Sequence, residues 1–352
     1  MPASSPLLFA LLGLTVALAA SAGADPDVNA VKGEQKGESL VLAGVDPGRL
    51  VHHRLLKGSV TIRSTYLPAL PTTVVFTEGK DFSVDYDTGQ VRRLEGSRIP
   101  DYQKNSLYGK KDFNHVNYPG FGNYKEFVFV DYGWADPIQW PSQPTQIQFL
   151  PRTWTLLKAG QPLKVVAFGD SITAGGDATR PELIYWQQWL TGLRARYPKA
   201  QITGVNGATG GDTTVQGLAR LEQKVLVEKP DLVLIAFGMN DQNIGSVPLD
   251  RFEANLSTLV DRIRTETGAE VILLSSCLPN PNWHYTSGKM PEYGRVTAKV
   301  AQAKGCAFAD VLARWSAVVD RKKPEDLLSN NVNHPNDYGH RLYAEVLEQL
   351  GL

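Results

Sequence analysis

The chain has 352 residues, and its 36 lysines and arginines balance 36 aspartates and glutamates, so the formal net charge is zero. That length exceeds one ordinary small domain, and a neutral balance removes the bulk electrostatic case for a nucleic-acid partner or an anionic membrane surface. Two cysteines, Cys277 and Cys306, are too few for a disulfide framework and lack metal-ligand spacing; both read as buried thiols in strands, with a single bridge as the alternative.

Residues 7–20 form an apolar block rich in Leu and Ala, and small residues follow up to Gly23 and Ala24 before the first acid, Asp25. The pattern predicts a secretory signal over residues 1–24, cleaved after Ala22 or Ala24, although residues 1–6 carry no Lys or Arg. The block is short for a membrane span, so an anchor is the lesser reading, and the mature protein is expected to be soluble and either secreted or periplasmic.

Residues 25–160 read as an all-β domain, a sandwich or jelly roll. Runs at 59–62, 72–76, 82–86 and 126–130 are short, β-branched or aromatic, and bounded by Gly, Pro, Asn and Asp. Phe82 to Tyr86 alternates apolar with polar before Asp87-Thr88-Gly89, which predicts a hairpin. Residues 101–125 crowd Tyr102, Tyr108, Phe113, Tyr118, Phe121 and Tyr124 into a stretch with no period. Such a loop either walls a sugar-like ligand or packs against the second domain, and packing is the favoured reading.

From Gln161 to Leu352 strands alternate with amphipathic helices, the pattern of a parallel α/β sheet. Strands are expected at 164–168, 201–205, 231–237, 270–276 and 306–310. Trp186, Leu190, Leu193 and Tyr197 share a helical face, as do Phe252, Leu256, Leu259 and Ile263, and Leu342, Val346 and Leu350 mark a closing helix. Right-handed crossovers between five such strands give a three-layer, flavodoxin-like sheet.

Four strand ends carry chemistry. The first strand breaks on Gly169-Asp170-Ser171, which puts a hydroxyl where open α/β sheets bind ligands. After the second comes a Gly-rich turn, Asn206 to Thr214, that is neither GxGxxG nor a Walker loop but can aim a backbone N–H of Gly211 at an oxyanion. Gly238-Met239-Asn240-Asp241 follows the third and offers the Asn240 amide as a second donor. Past the fifth, His334-Pro335-Asn336 sets an imidazole before a helix, as a general base. His52, His53, His115 and His340 read as surface or capping residues. His284 is open to either reading, since Trp283-His284 follows the fourth strand at the same rim, and Asp170, Trp283 and His284 are candidate substrate contacts.

In order and spacing these blocks resemble the SGNH hydrolases, also called GDSL-type esterases and lipases, over residues 161–352. The resemblance implies Ser171 as nucleophile, His334 as base, and Ser171 N–H, Gly211 N–H and the Asn240 amide as oxyanion donors, with no cofactor and no metal. The family usually has Asp three residues before His, where this chain has Asn331. Asn331 is then expected to fix the His334 tautomer without charge, or else His334 relies on a backbone carbonyl. A β domain ahead of such a site, with the acid missing, is similar to the family-two carbohydrate esterases. The implied activity is hydrolysis of O-acyl, above all O-acetyl, esters on a small molecule or polysaccharide. The alternatives are acyl transfer to a sugar, lipase, lysophospholipase or arylesterase activity, and a non-catalytic glycan-binding protein.

Overall fold

The computed structural model describes Val31–Leu352, and the expected signal segment lies outside these residues. Six strands come first: β1 (Val31–Val41), β2 (Gly48–Arg49), β3 (Thr61–Arg63), β4 (Phe82–Asp85), β5 (Gln90–Arg93) and β6 (Phe127–Asp136). They make two three-stranded antiparallel sheets, ordered β1-β6-β3 and β2-β5-β4. The expected hairpin is β4–β5, with Val84 opposite Val91. The run at 72–76 forms only an isolated bridge from Val75 to Arg63.

Period-two alternation gives β6 two buried faces. Val128, Val130 and Tyr132 join Leu40, Ile62, Phe82 and Val91 in a core shared by both sheets. Phe127 and Phe129 turn the other way, with Val41, Ala43 and Tyr102.

The remaining chain alternates helix and strand: α1 (Pro151–Lys158), β7 (Leu163–Gly169), α2 (Ser171–Ala174), α3 (Tyr185–Arg196), β8 (Ile202–Asn206), α4 (Thr214–Lys224), β9 (Leu232–Ala236), α5 (Leu249–Thr267), β10 (Glu270–Leu274), α6 (Met290–Lys304), β11 (Ala307–Ala309), α7 (Val311–Val319) and α8 (Asp337–Glu348). The five strands are parallel and ordered β11-β10-β9-β7-β8, which read from the far edge is 2-1-3-4-5, the flavodoxin-like order. β7, β9 and β10 are apolar almost throughout because helices cover both faces. Phe252, Leu256, Leu259 and Ile263 of α5 are buried together, as their spacing requires. The crossover reverses between β7 and β9, and the residue that opens α2 at that switch point is Ser171. Cys277 and Cys306 are buried free thiols just outside β10 and β11 rather than within strands. Among the described residues no helix is long and apolar enough to cross a membrane.

The antiparallel sheets are tied to the parallel one by buried polar groups. Lys322, past α7, donates Nζ to Glu38 Oε1 at 2.7 Å, with both side chains fully buried. Tyr132 Oη donates to the other Glu38 oxygen at 2.5 Å, and Val41 N–H donates to Asp326 Oδ1 at 2.8 Å. Removing one partner of a buried pair strands the other charge. We therefore expect Lys322→Met to cost about 3–5 kcal/mol in denaturant unfolding. A loss below about 1 kcal/mol, the surface-pair range, would contradict this account of the seam.

Candidate active site

β7 delivers the nucleophile candidate by ending on Gly169. Asp170 then caps α2, accepting the Ile172 N–H at 3.0 Å. Burial pushes the Asp170 carboxyl up to about 7 against the pull of that N–H and of His334. Asp170 is 2% exposed, so its role is to cap the helix rather than to meet substrate.

The Gly-rich turn runs beside Ser171, for a Cβ on Gly210 would lie 3.9 Å from the Ser171 Cβ. Thr213 ends the turn by capping α4, with Gln216 closing a capping box. Asp241 is buried and accepts from Thr214 N–H at 2.9 Å, Thr214 Oγ1 at 2.6 Å and Gly238 N–H at 3.2 Å, so the β9 end is fixed to the start of α4. Asn240 Nδ2 donates to Asp212 O at 2.9 Å and is thereby held against the same turn that carries Gly211.

His334 reaches this group from the far end of the chain. Its Nε2 lies 2.8 Å from Ser171 Oγ, and its Nδ1 lies 2.9 Å from Asp177 Oδ2. The backbone before it is folded around Asn330, whose Oδ1 accepts from the N–H groups of Val332, Asn333 and His334, each at 2.9 Å. Gly176 has to be glycine, because a Cβ there would lie 3.0 Å from His334 Nδ1 and 2.8 Å from Ser171 O.

Ser171, Gly211, Asn240 and His334 are therefore brought together. Asn331 is not in contact with the His334 ring, which corrects the expectation drawn from its position. With φ at +58°, Asn331 accepts from Asn280 Nδ2 at 3.0 Å and donates Nδ2 to Tyr102 Oη at 3.2 Å, so both ends of its amide are engaged elsewhere. The group on Nδ1 is the carboxylate of Asp177, which the sequence reading passed over, though it stands six residues after Ser171 and follows Gly175-Gly176. An acid just past a glycine pair in the turn that Ser171 opens was the available signal.

Trp283 also differs from expectation. Trp283 is buried with Leu107, Phe113 and Val332 and donates Nε1 to His115 Nδ1 at 3.0 Å, so it packs the aromatic loop instead of facing a ligand. His284 Nδ1 pairs with Asp112 at 2.8 Å. The loop itself mostly packs, as expected, with Tyr108 and Tyr124 as exposed exceptions.

Two of the histidines read as surface or capping residues are buried. His52 pairs with Asp136 at 2.8 Å and stacks on Trp134. His340 donates Nε2–H to Gly176 O at 3.2 Å and lies parallel to Tyr185. Burial pulls the His340 pKa from 6.5 down to about 4. The unfolded chain thus binds this proton first as pH falls, and stability present above pH 6.5 is lost progressively down to pH 4, each unit being worth about 1.4 kcal/mol. Unfolding free energies at pH 7 and pH 5 should accordingly diverge less in His340→Gln than in the wild type, and an equal pH effect would show that His340 is not the group responsible.

Comparison with known proteins places the chain in a family. The profile of the GDSL-like lipase/acylhydrolase family matches residues 167–342, half of the chain. An acetylxylan esterase of Geobacillus stearothermophilus is 29% identical over 214 residues, which is 55% of this chain and 97% of that enzyme. The esterase TesA of Pseudomonas aeruginosa is 37% identical over 147 residues, 40% of this chain and 67% of that one. A solved two-domain esterase active on acetylated mannans aligns at 26% identity with a TM-score of 0.50, covering 58% of this chain and 54% of its own. The chain belongs to the GDSL-like lipase/acylhydrolase family, the SGNH hydrolases, and is a serine carboxylic-ester hydrolase.

Proposed function

We propose that this hydrolase removes acetyl groups from a carbohydrate outside the cytoplasm, through an acyl-enzyme on Ser171. The observation that carries the mechanism is the continuous hydrogen-bonded chain from Ser171 Oγ through His334 to Asp177. His334 Nε2 takes the hydroxyl proton as Oγ attacks the ester carbon, and Asp177 holds Nδ1–H and stabilises the imidazolium. The developing oxyanion is met by the Ser171 and Gly211 N–H groups and by the second proton on Asn240 Nδ2, the first being given to Asp212 O. His334 gives its proton to the departing sugar oxygen; it then takes a proton from the water that attacks the acetyl carbon and returns it to Ser171 Oγ as the acyl bond breaks and acetate leaves.

The acetylated-glycan reading is supported by the acetylxylan esterase, nearly all of whose length is matched, and by the two-domain esterase active on acetylated mannans. Similarity to TesA and to an arylesterase of Vibrio mimicus, 35% identical over 120 residues, favours a wider acyl range as the second reading. Turnover of p-nitrophenyl esters of increasing chain length beside acetylated xylan and mannan separates the two. Acetate release from a glycan with a steep fall beyond short acyl chains is expected, and a preference for long chains would overturn the first reading.

Ser171→Ala should lower kcat by about 10³-fold or more, and Asn240→Ala by on the order of 10²-fold. Asp177→Asn should cost roughly 10²- to 10⁴-fold, whereas Asn331→Ala should cost less than about tenfold. The reverse ranking of Asp177 and Asn331 would return the orienting role to Asn331.

A further inference from the structure

The Asp177 carboxylate has two oxygens, and His334 occupies one. The other, Oδ1, accepts the hydroxyl of Tyr124 at 3.2 Å. Tyr124 belongs to the aromatic loop of the antiparallel half, and the next residue back is the most firmly anchored in that loop. Asn123 is fully buried; its Nδ2 donates to Glu325 O at 3.1 Å and Leu328 O at 2.9 Å, and its N–H donates to Ser329 O at 2.6 Å. These acceptors lie in the segment leading to His334, since Ser329 N–H in turn donates to His334 O at 2.8 Å. Gly122, at φ +125°, lets the Tyr124 ring fold back across it: a Cβ there would lie 2.1 Å from the ring. Partial burial and the neighbouring Asp177 carboxylate hold the Tyr124 hydroxyl proton to about pH 12, so the group donates throughout the working range.

Asp177 needs such a partner. Its backbone is in the left-handed region at φ +63°, its side chain is 21% exposed, and its carboxylate is bonded by His334 and Tyr124, neither of them from its own turn. We propose that Tyr124 is a positioning residue that locks the Asp177 carboxylate in the orientation His334 requires, so that the antiparallel half completes the catalytic chain of the parallel half. One loop thereby clasps both the segment that carries His334 and the acid that orients it. The inference rests on the proposed role of Asp177.

The test is Tyr124→Phe, which keeps the ring over Gly122 and deletes only the donor, assayed on p-nitrophenyl acetate in the full chain. We expect kcat to fall roughly 3- to 30-fold with KM unchanged, because a hydrogen bond to a charged group is lost while no substrate contact is. In an Asp177→Asn background the same change should add less than about twofold, since residues acting as one unit are not additive. Wild-type kcat in Tyr124→Phe, a change confined to KM, or an undiminished effect in the Asp177→Asn background would each overturn the inference. Wild-type turnover that Ser171→Ala does not reduce would instead bring down the proposed function, which keeps the two failures apart.

Discussion

The imidazole of His334 stands between Ser171 Oγ at 2.8 Å and Asp177 Oδ2 at 2.9 Å, and neither distance tolerates a shift of an ångström in any of three loops. Most polar interactions around the site serve that tolerance. Asn330 folds the backbone under His334, Asp337 takes Thr179 N–H at 2.9 Å and Thr179 Oγ1 at 2.7 Å just past Asp177, and His340 takes up the Gly176 carbonyl between Ser171 and Asp177. Asn330, Asp337 and His340 are themselves buried, where a hydrogen bond is worth more and its loss is felt more.

The parallel sheet alone does not supply this frame. Its strand ends place Ser171, the Gly211 turn and Asn240 through short local connections, but His334 arrives on a long loop whose supports come from elsewhere. Asn280 after β10 donates its side chain to the Asn331 carbonyl at 3.0 Å, Tyr102 meets the Asn331 amide, and Asn123 binds the segment 325–329. Two of these three residues lie in the aromatic loop. The buried Lys322–Glu38 pair then fixes the antiparallel sheets to the stretch between α7 and that loop. The proposed catalytic residues thus sit on the α/β half while part of their rigidity comes from the β half.

The division between what could and could not be read from sequence follows the range of each interaction. The strands of the α/β half announced themselves by apolar runs, and α5 by its face of Phe252, Leu256, Leu259 and Ile263, because burial is written locally in residue type. Ser171, Gly211, Asn240 and His334 were legible because each follows a strand end or precedes a helix cap. Asp177 was not, since its contact with His334 spans 157 residues and its turn carries no periodicity. Asn331 drew attention by standing three residues before His334, yet its left-handed backbone and its bonds to Asn280 and Tyr102 leave it holding the loop. β1 was missed as well: its sequence, VKGEQKGESLV, is largely polar, and its strand character comes from pairing along β6.

The most direct measurement is the proton on His334 Nδ1. Bonded to a carboxylate at 2.9 Å, with both side chains mostly buried, it should give a strongly low-field proton resonance in NMR spectra at neutral pH. The account requires that resonance to vanish in Asp177→Asn and to persist in Asn331→Ala. A resonance that survives Asp177→Asn and is lost in Asn331→Ala would contradict the assignment of Asp177 as the group that orients His334.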